Sequence, residues 1–172
     1  MAGDGEHGFS KLMEHWTAGL LATMRELTLF FAPNINSYRR LVLRADTPIN
    51  TAWGHDNRTC CLRVPLSNAQ NRRVENRLPG ADANPYLAIA ASLVCGYLGM
   101  VEQLRPSAPN TSSAYQQSAS LPTTPEDGLQ RFASGAALRD FLGERFVQAL
   151  LAVRKSELAA YQREVSAWER EH

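Results

Sequence analysis

The chain predicts an α+β fold of antiparallel strands backed by helices, and three observations lead there. Apolar residues recur at helical spacing over 10–31, 85–101 and 126–171. Between the first two of these lie three short strand-like runs, 49–53, 59–64 and 72–77. At 172 residues and 44% hydrophobic, the chain is long and apolar enough for one domain with a real core.

The first helix is expected over 10–31. Ser10 is its N-cap, with Met13 where a capping box would carry glutamate. Leu12, Trp16, Gly19, Leu20, Thr23, Leu27 and Phe31 form the apolar stripe, which makes Trp16 a packing residue and leaves His15 a surface or locally satisfied side chain. Pro33 ends the helix. The polar segment 34–41 reads as a loop turning into a strand. Runs 49–53 and 59–64 are joined by the Gly-containing linker Gly54-His55-Asp56-Asn57, which predicts a hairpin and an exposed His55.

Alternation along 72–77 puts Arg73, Glu75 and Arg77 on one face, and Val74 and Leu78 toward the core. Asn84 as N-cap and Pro85 at the first position start the next helix, which is apolar nearly all round and is expected to be buried. Residues 105–125 are rich in Pro, Ser, Thr, Asn and Gln and predict a long, mobile surface loop. Beyond it, a short helix near 127–133 precedes a long one from about residue 137, with an apolar face that includes Leu138, Phe141, Phe146, Leu150, Val153, Tyr161 and Trp168.

Charge and cysteine usage exclude some functions. The net charge of +1 gives no reason to expect nucleic acid or an acidic membrane surface. The apolar run 86–101 is too short for a membrane span. Cys60, Cys61 and Cys95 are odd in number and lack metal-type spacing, so reduced buried thiols in a cytoplasmic protein are expected.

The informative feature is local. Residues 31–78 hold eight arginines (Arg39, Arg40, Arg44, Arg58, Arg63, Arg72, Arg73, Arg77) and no lysine, against Asp46, Asp56 and Glu75. A guanidinium is a fixed charge with a planar fork of donors that fits phosphate and carboxylate. Interspersed arginines therefore point to a shaped pocket for a multiply anionic ligand. Arg63, flanked by apolar residues, must be paired. Glu75 between Arg73 and Arg77 reads either as a solvated ion-pair face or as a metal ligand between two anion clamps.

Four motifs in order, NINSYRRL, WGHDNRTCCLRVP, NRRVENR and LPGADANPYLAIAA, resemble the C-terminal half of the glutamine synthetase catalytic domain, over about residues 4–171. The wording is most similar to the glutamine-synthetase-like ligases that join glutamate to polyamines and other amines. The resemblance implies that 1–172 is the C-terminal part of that domain, with active-site strands and packing helices in 1–104, the surface loop in 105–125 and C-terminal helices in 126–172. It implies part of the family's catalytic sheet or barrel. The implied activity is ATP-dependent formation of a γ-glutamyl amide from glutamate and ammonia or an amine, through γ-glutamyl phosphate.

By the same resemblance, Arg40 and Arg77 would bind glutamate, and Arg63 and Arg73 would bind ATP. Arg58 would serve both substrates and catalysis. Glu75 would ligate magnesium or manganese, and Asp46 would stand where a flap glutamate acts as base. Asp46 is one methylene shorter, which argues against ammonium and for a larger amine, while an ordinary surface-loop aspartate fits the residue equally. The Gly-rich opening matches a family loop that follows a His-x-His metal motif, and His7 does not match that histidine. Tyr115 does not match the tyrosine that is adenylylated in some relatives. The other metal carboxylates belong to an upstream half, so the 172 residues alone are expected to be inactive. The complete protein would be a homo-oligomeric double ring. Two alternatives stand: a non-catalytic nucleotide-binding or assembly fragment, and a structural domain whose arginines only make ion pairs.

Overall fold

A computed structural model describes residues 9–42, 46–68, 70–135 and 139–172. His7, Arg44 and Leu138 lie outside the described residues. The architecture is α+β, with helices dominating and one small mixed sheet.

Helix α1 spans Lys11–Thr23, and the Ser10 hydroxyl accepts from the Met13 backbone N–H as its cap. A turn then separates α1 from α2 (Thr28–Phe31), so the single helix expected over 10–31 is two pieces. At the junction the Thr28 hydroxyl donates to the carbonyls of Met24 and Arg25. Such back-bonding competes with the helical ladder and favours a bend. Segment 34–41 is not a strand. It forms helix α3 (Ile35–Arg40), started by a reciprocal capping box between Asn34 and Ser37. The Asn and Ser residues that read as turn formers are helix-cap residues here.

Strands β1 (Trp53–His55) and β2 (Leu62–Val64) run parallel, where a hairpin was expected. Only six residues join them, far fewer than the dozen or so of an ordinary parallel crossover. The loop doubles back because Asp56 takes a left-handed backbone (φ 46°), and the Asn57 side-chain oxygen accepts from both the Thr59 N–H and its hydroxyl. Strand β3 (Glu75–Asn76) pairs antiparallel with β2, placing Glu75 opposite Arg63.

Helix α4 (Pro85–Val101) begins as expected, with the Asn84 side chain accepting from Tyr86 and Leu87 N–H groups. It packs closely on α1, where Gly19 and Gly99 face each other and Trp16 lies over Gly96. The opposite face is not buried. Tyr86, Ile89, Leu93, Tyr97 and Val101 are exposed, Tyr86 by 83%. Tyr97 meets Phe141 edge-on at 5.4 Å.

Residues 105–125 contain only one short 3-10 turn (Ala114–Gln116), yet they are fastened along their length. Trp53 Nε1 donates to the Ser107 carbonyl at 2.7 Å, Asn110 N–H to the Trp53 carbonyl, and Asn50 Nδ2 to the Ala114 carbonyl. Ala114 and Leu121 are buried. This strap covers the outer side of the 49–59 segment. Helix α5 (Pro125–Ser134) follows. The long final helix breaks at Gly143 (φ 77°) into α6 (Arg139–Leu142) and α7 (Glu144–Tyr161), and α8 (Ala167–Glu171) ends the chain. Its buried positions are Val147 and Leu151, whereas Phe141, Val153, Tyr161 and Trp168 of the expected apolar face are exposed.

One core joins these parts, drawing on Leu20 and Met24, on Phe30 and Phe31 beyond the bend, and on Leu62, Leu78 and Phe132. Cys60, Cys61 and Cys95 are free and buried. Burial pushes the Cys60 thiol up to about 11 and Cys95 to about 12, and raises Cys61 as well. All three are protonated at neutral pH and are packing groups rather than nucleophiles.

Candidate functional site

Five arginines of the central stretch, Arg40, Arg58, Arg63, Arg73 and Arg77, fall into two groups on the sheet and its loops. In the first, Arg63 on β2 is the hub. Its Nη2 meets Asp56 Oδ1 at 2.5 Å and its Nη1 meets Glu75 Oε2 at 2.7 Å. Glu75 also accepts at Oε1 from Arg73, at 3.1 Å from Nε and 2.9 Å from Nη2. One carboxylate thus bridges two guanidiniums. Burial alone would raise the Glu75 pKa, but the hydrogen bonds from Arg63 and Arg73 outweigh it and hold the carboxyl below its ordinary value. The Glu75 hydrogen bond is also the main cause raising Arg63. The antiparallel register of β2 and β3 makes this bridge, since it sets Arg63 directly opposite Glu75.

Asp56 belongs to this group and had no role assigned from sequence. Besides Arg63, it accepts from the Leu66 N–H, the main cause of its lowered pKa. Arg58 sits two residues further along the same turn, exposed, with no hydrogen bond or ion pair among the described residues. It lines an open cleft of about 620 Å³ with His55 and Asn110.

The second group gathers around β3 and the end of α3. Arg77 turns away from Glu75: its Nη2 donates to the Asp46 carbonyl at 2.8 Å and its Nη1 to the Cys60 carbonyl at 3.4 Å. Arg40, half-buried at the C-terminus of α3, donates to the Leu78 carbonyl, and its Nε is buried without a partner among the described residues. Burial is the main cause lowering its pKa, with Asp82 opposing and Arg77 adding. Guanidinium nevertheless stays charged at any physiological pH. Asp82, also unassigned from sequence, accepts from Ser37 Oγ at 2.5 Å and Asn34 Nδ2 at 3.3 Å, tying the 79–84 loop to the start of α3. The spacing to its partners exceeds 40 residues, which is why pattern reading passed over it.

Asp46 is exposed, with a left-handed backbone (φ 49°). Residues 43–45 of the expected flap lie outside the described residues. His15, as expected, is satisfied within the fold: its Nδ1 lies 2.7 Å from the Leu104 carbonyl oxygen.

A divalent cation such as magnesium wants about six oxygen ligands. Among the described residues, no three His, Cys, Asp or Glu side chains come together as a cation site. Both Glu75 oxygens already accept from guanidiniums. The described residues therefore do not form a complete metal site. Arg58 is exposed, and the Arg63 and Arg73 forks are held by Asp56 and Glu75.

The fold is an α+β domain that gathers arginines on β2, before and after β3, and at the end of α3. Residues 1–172 match the family described as glutamine synthetase, catalytic domain, and the chain belongs to that family. It is 38% identical over 163 residues to gamma-glutamylethanolamide synthetase of Streptomyces coelicolor, which takes in 94% of this chain and 35% of the relative. It is 36% identical to gamma-glutamylputrescine synthetase of Escherichia coli, over 96% of this chain and 35% of that enzyme. Against glutamate–isopropylamine ligase from a Pseudomonas species the identity is 35%, over 93% of this chain and 36% of the relative. The chain thus spans about a third of the length of the curated relatives it matches. Among solved structures, a GmaS/ADP complex is similar with a TM-score of 0.85 and 31% identity, over 99% of this chain and 41% of that one.

Proposed function

We propose that this chain is the arginine-bearing part of an ATP-dependent ligase that joins glutamate to an amine through γ-glutamyl phosphate. The observation that supports it most directly is the Asp56–Arg63–Glu75–Arg73 run of ion pairs, with Arg58 exposed on the Asp56 turn. In this reading these three arginines hold the ATP phosphates. Fixed guanidinium forks stabilise the charge of a phosphoryl group in transfer without reorganising during the reaction. Arg40 and Arg77, drawn together at the end of α3 and β3, orient the glutamate, and Arg58 also faces the acyl phosphate. The glutamate side-chain carboxylate takes the terminal phosphoryl group of ATP, releasing ADP and giving the acyl phosphate; the amine then attacks its acyl carbon, forming the amide and expelling phosphate. Asp46 takes the position of the base that receives the amine proton.

A larger amine is favoured over ammonium. Asp46 reaches one methylene less than glutamate, and hydrogen-bond reach decides a proton transfer. The named relatives that act on ethanolamine, putrescine and isopropylamine agree with this choice. The cation the family uses would need carboxylates from outside these residues.

The test begins with the intact mass of the protein in its native cells, followed by an amine panel on whatever is found. A product well above 19.0 kDa should release phosphate from ATP and glutamate only when ethanolamine, putrescine, isopropylamine or ammonium is added. A longer product without any amine-dependent phosphate release would overturn the ligase reading. A native product of 19.0 kDa that binds ADP without turnover would establish the non-catalytic nucleotide-binding reading instead.

A further inference from the structure

The geometry of Glu75 differs from the metal-ligand role that the family implies. Its two oxygens are both taken, Oε2 by Arg63 Nη1 at 2.7 Å and Oε1 by Arg73 Nη2 at 2.9 Å. Arg63 is in turn held at its other end by Asp56 at 2.5 Å. The four side chains form an alternating chain, Asp56–Arg63–Glu75–Arg73, with no spare carboxylate. Among the described residues, Glu75 belongs to no group of three or more His, Cys, Asp or Glu that could hold a cation. A cation arriving there would meet one carboxylate already neutralised by two fixed positive charges. It would have to displace both guanidiniums and gain a single ligand in return.

We infer that Glu75 acts in this chain as an internal counter-ion that positions the Arg63 and Arg73 forks, and that it takes a divalent cation only when further carboxylates from outside these residues compete for it. The same bridge keeps the two forks apart and oriented, so the arginine cluster is ready for a polyphosphate before any metal is present. The inference goes beyond the ligase reading and does not depend on which amine is used.

The experiment is a nuclear magnetic resonance titration of the ¹⁵N-labelled 172-residue chain. Manganese(II) is added first, at substoichiometric amounts, to the unsubstituted chain. No selective broadening of the amides of residues 73–77 is expected, and inorganic tripolyphosphate without metal should shift the Arg58, Arg63 and Arg73 Nε–H signals. In Glu75→Gln the Arg73 Nε–H signal should lose its protection from solvent exchange while the amide spectrum is kept, and Glu75→Asp should restore part of it. Selective manganese broadening around Glu75 in the unsubstituted chain, lost in Glu75→Gln, would overturn the inference. So would unchanged Arg73 Nε–H protection in a folded Glu75→Gln. Should Glu75→Gln not fold, the manganese and tripolyphosphate arms on the unsubstituted chain still decide. Failure of the amine panel would leave these outcomes unaffected, so the two readings fail separately.

Discussion

Arg58 and Arg63 lie five positions apart, yet their surroundings give them different work. Arg63 is committed to Asp56 and Glu75, whereas Arg58 is exposed and makes no hydrogen bond or ion pair among the described residues. Truncating an exposed side chain with no such contact changes stability by less than about 0.5 kcal/mol. A charge-assisted bond to phosphate is worth about 1.5–3 kcal/mol, or roughly ten- to hundred-fold in affinity. Arg58→Ala is therefore expected to weaken ADP or tripolyphosphate binding by that factor in calorimetry and to leave the unfolding midpoint in place. A lowered midpoint with unchanged affinity would favour the purely structural reading. Asp82 gives a pH-dependent counterpart. Burial would raise its pKa, but hydrogen bonds from Ser37 and Asn34, helped by Arg40, bring it below the ordinary value. A depressed carboxylate contributes stability that is complete above its unfolded pKa, near ~3.9, and is lost as pH falls through the folded one. The stability gap between the unsubstituted chain and Asp82→Asn should be constant above about pH 5 and close below about pH 4. Urea midpoints across pH 2–7 would read this, and a gap that persists at the lowest pH would contradict it.

Helices α1 and α4 illustrate how an element can start where its sequence says and still pack unexpectedly. Ser10 and Asn84 cap as their residue types dictate, because each offers a side-chain oxygen to the unpaired N–H groups of the first turn. The face each helix buries is set by its neighbour. Gly19 and Gly99 bring the two backbones so near that a Cβ on either would collide with the other helix's main chain. Main chain cannot swing aside as a flexible side chain can. Gly99→Val should then cost at least about 2–3 kcal/mol, an overpacking penalty, measurable as a lower urea midpoint at unchanged m-value. Stability within about 0.5 kcal/mol of the unsubstituted chain would show that the helices can part without cost. The glycine faces also explain why α4, apolar nearly all round, is buried on one side only: α1 covers the small residues, and the larger ones from Tyr86 to Val101 face outward.

At the scale of the whole molecule, the described residues form one large core, a small satellite cluster of Ala52, Cys60 and Ala114, and a two-part arginine cluster, with no group of three or more cation-ligating side chains. It spans about a third of the length of its curated relatives. Turnover by the 172-residue chain alone is accordingly expected to be undetectable in a phosphate-release assay with glutamate, ATP, magnesium and any of the four amines. Amine-dependent release by this chain would mean that its own residues suffice.

Much of this was legible in the residues alone. The motifs carried the family; Asn84-Pro85 marked the start of α4; and the burial of Arg63 with a partner followed from its apolar neighbours. These are local properties, fixed by side-chain chemistry and near-neighbour spacing. Tertiary structure decided the rest. It turned 34–41 into a helix, because a capping box between Asn34 and Ser37 outweighed turn propensity. It ran β1 and β2 parallel, because Asp56 and Asn57 fold the connection back on itself. It sent Arg77 to two backbone carbonyls and gave Glu75 to Arg63 and Arg73, although alternation along the strand allowed either arrangement equally. Pairing register and the approach of distant segments determine such partners, and neither is written in the spacing of one short run.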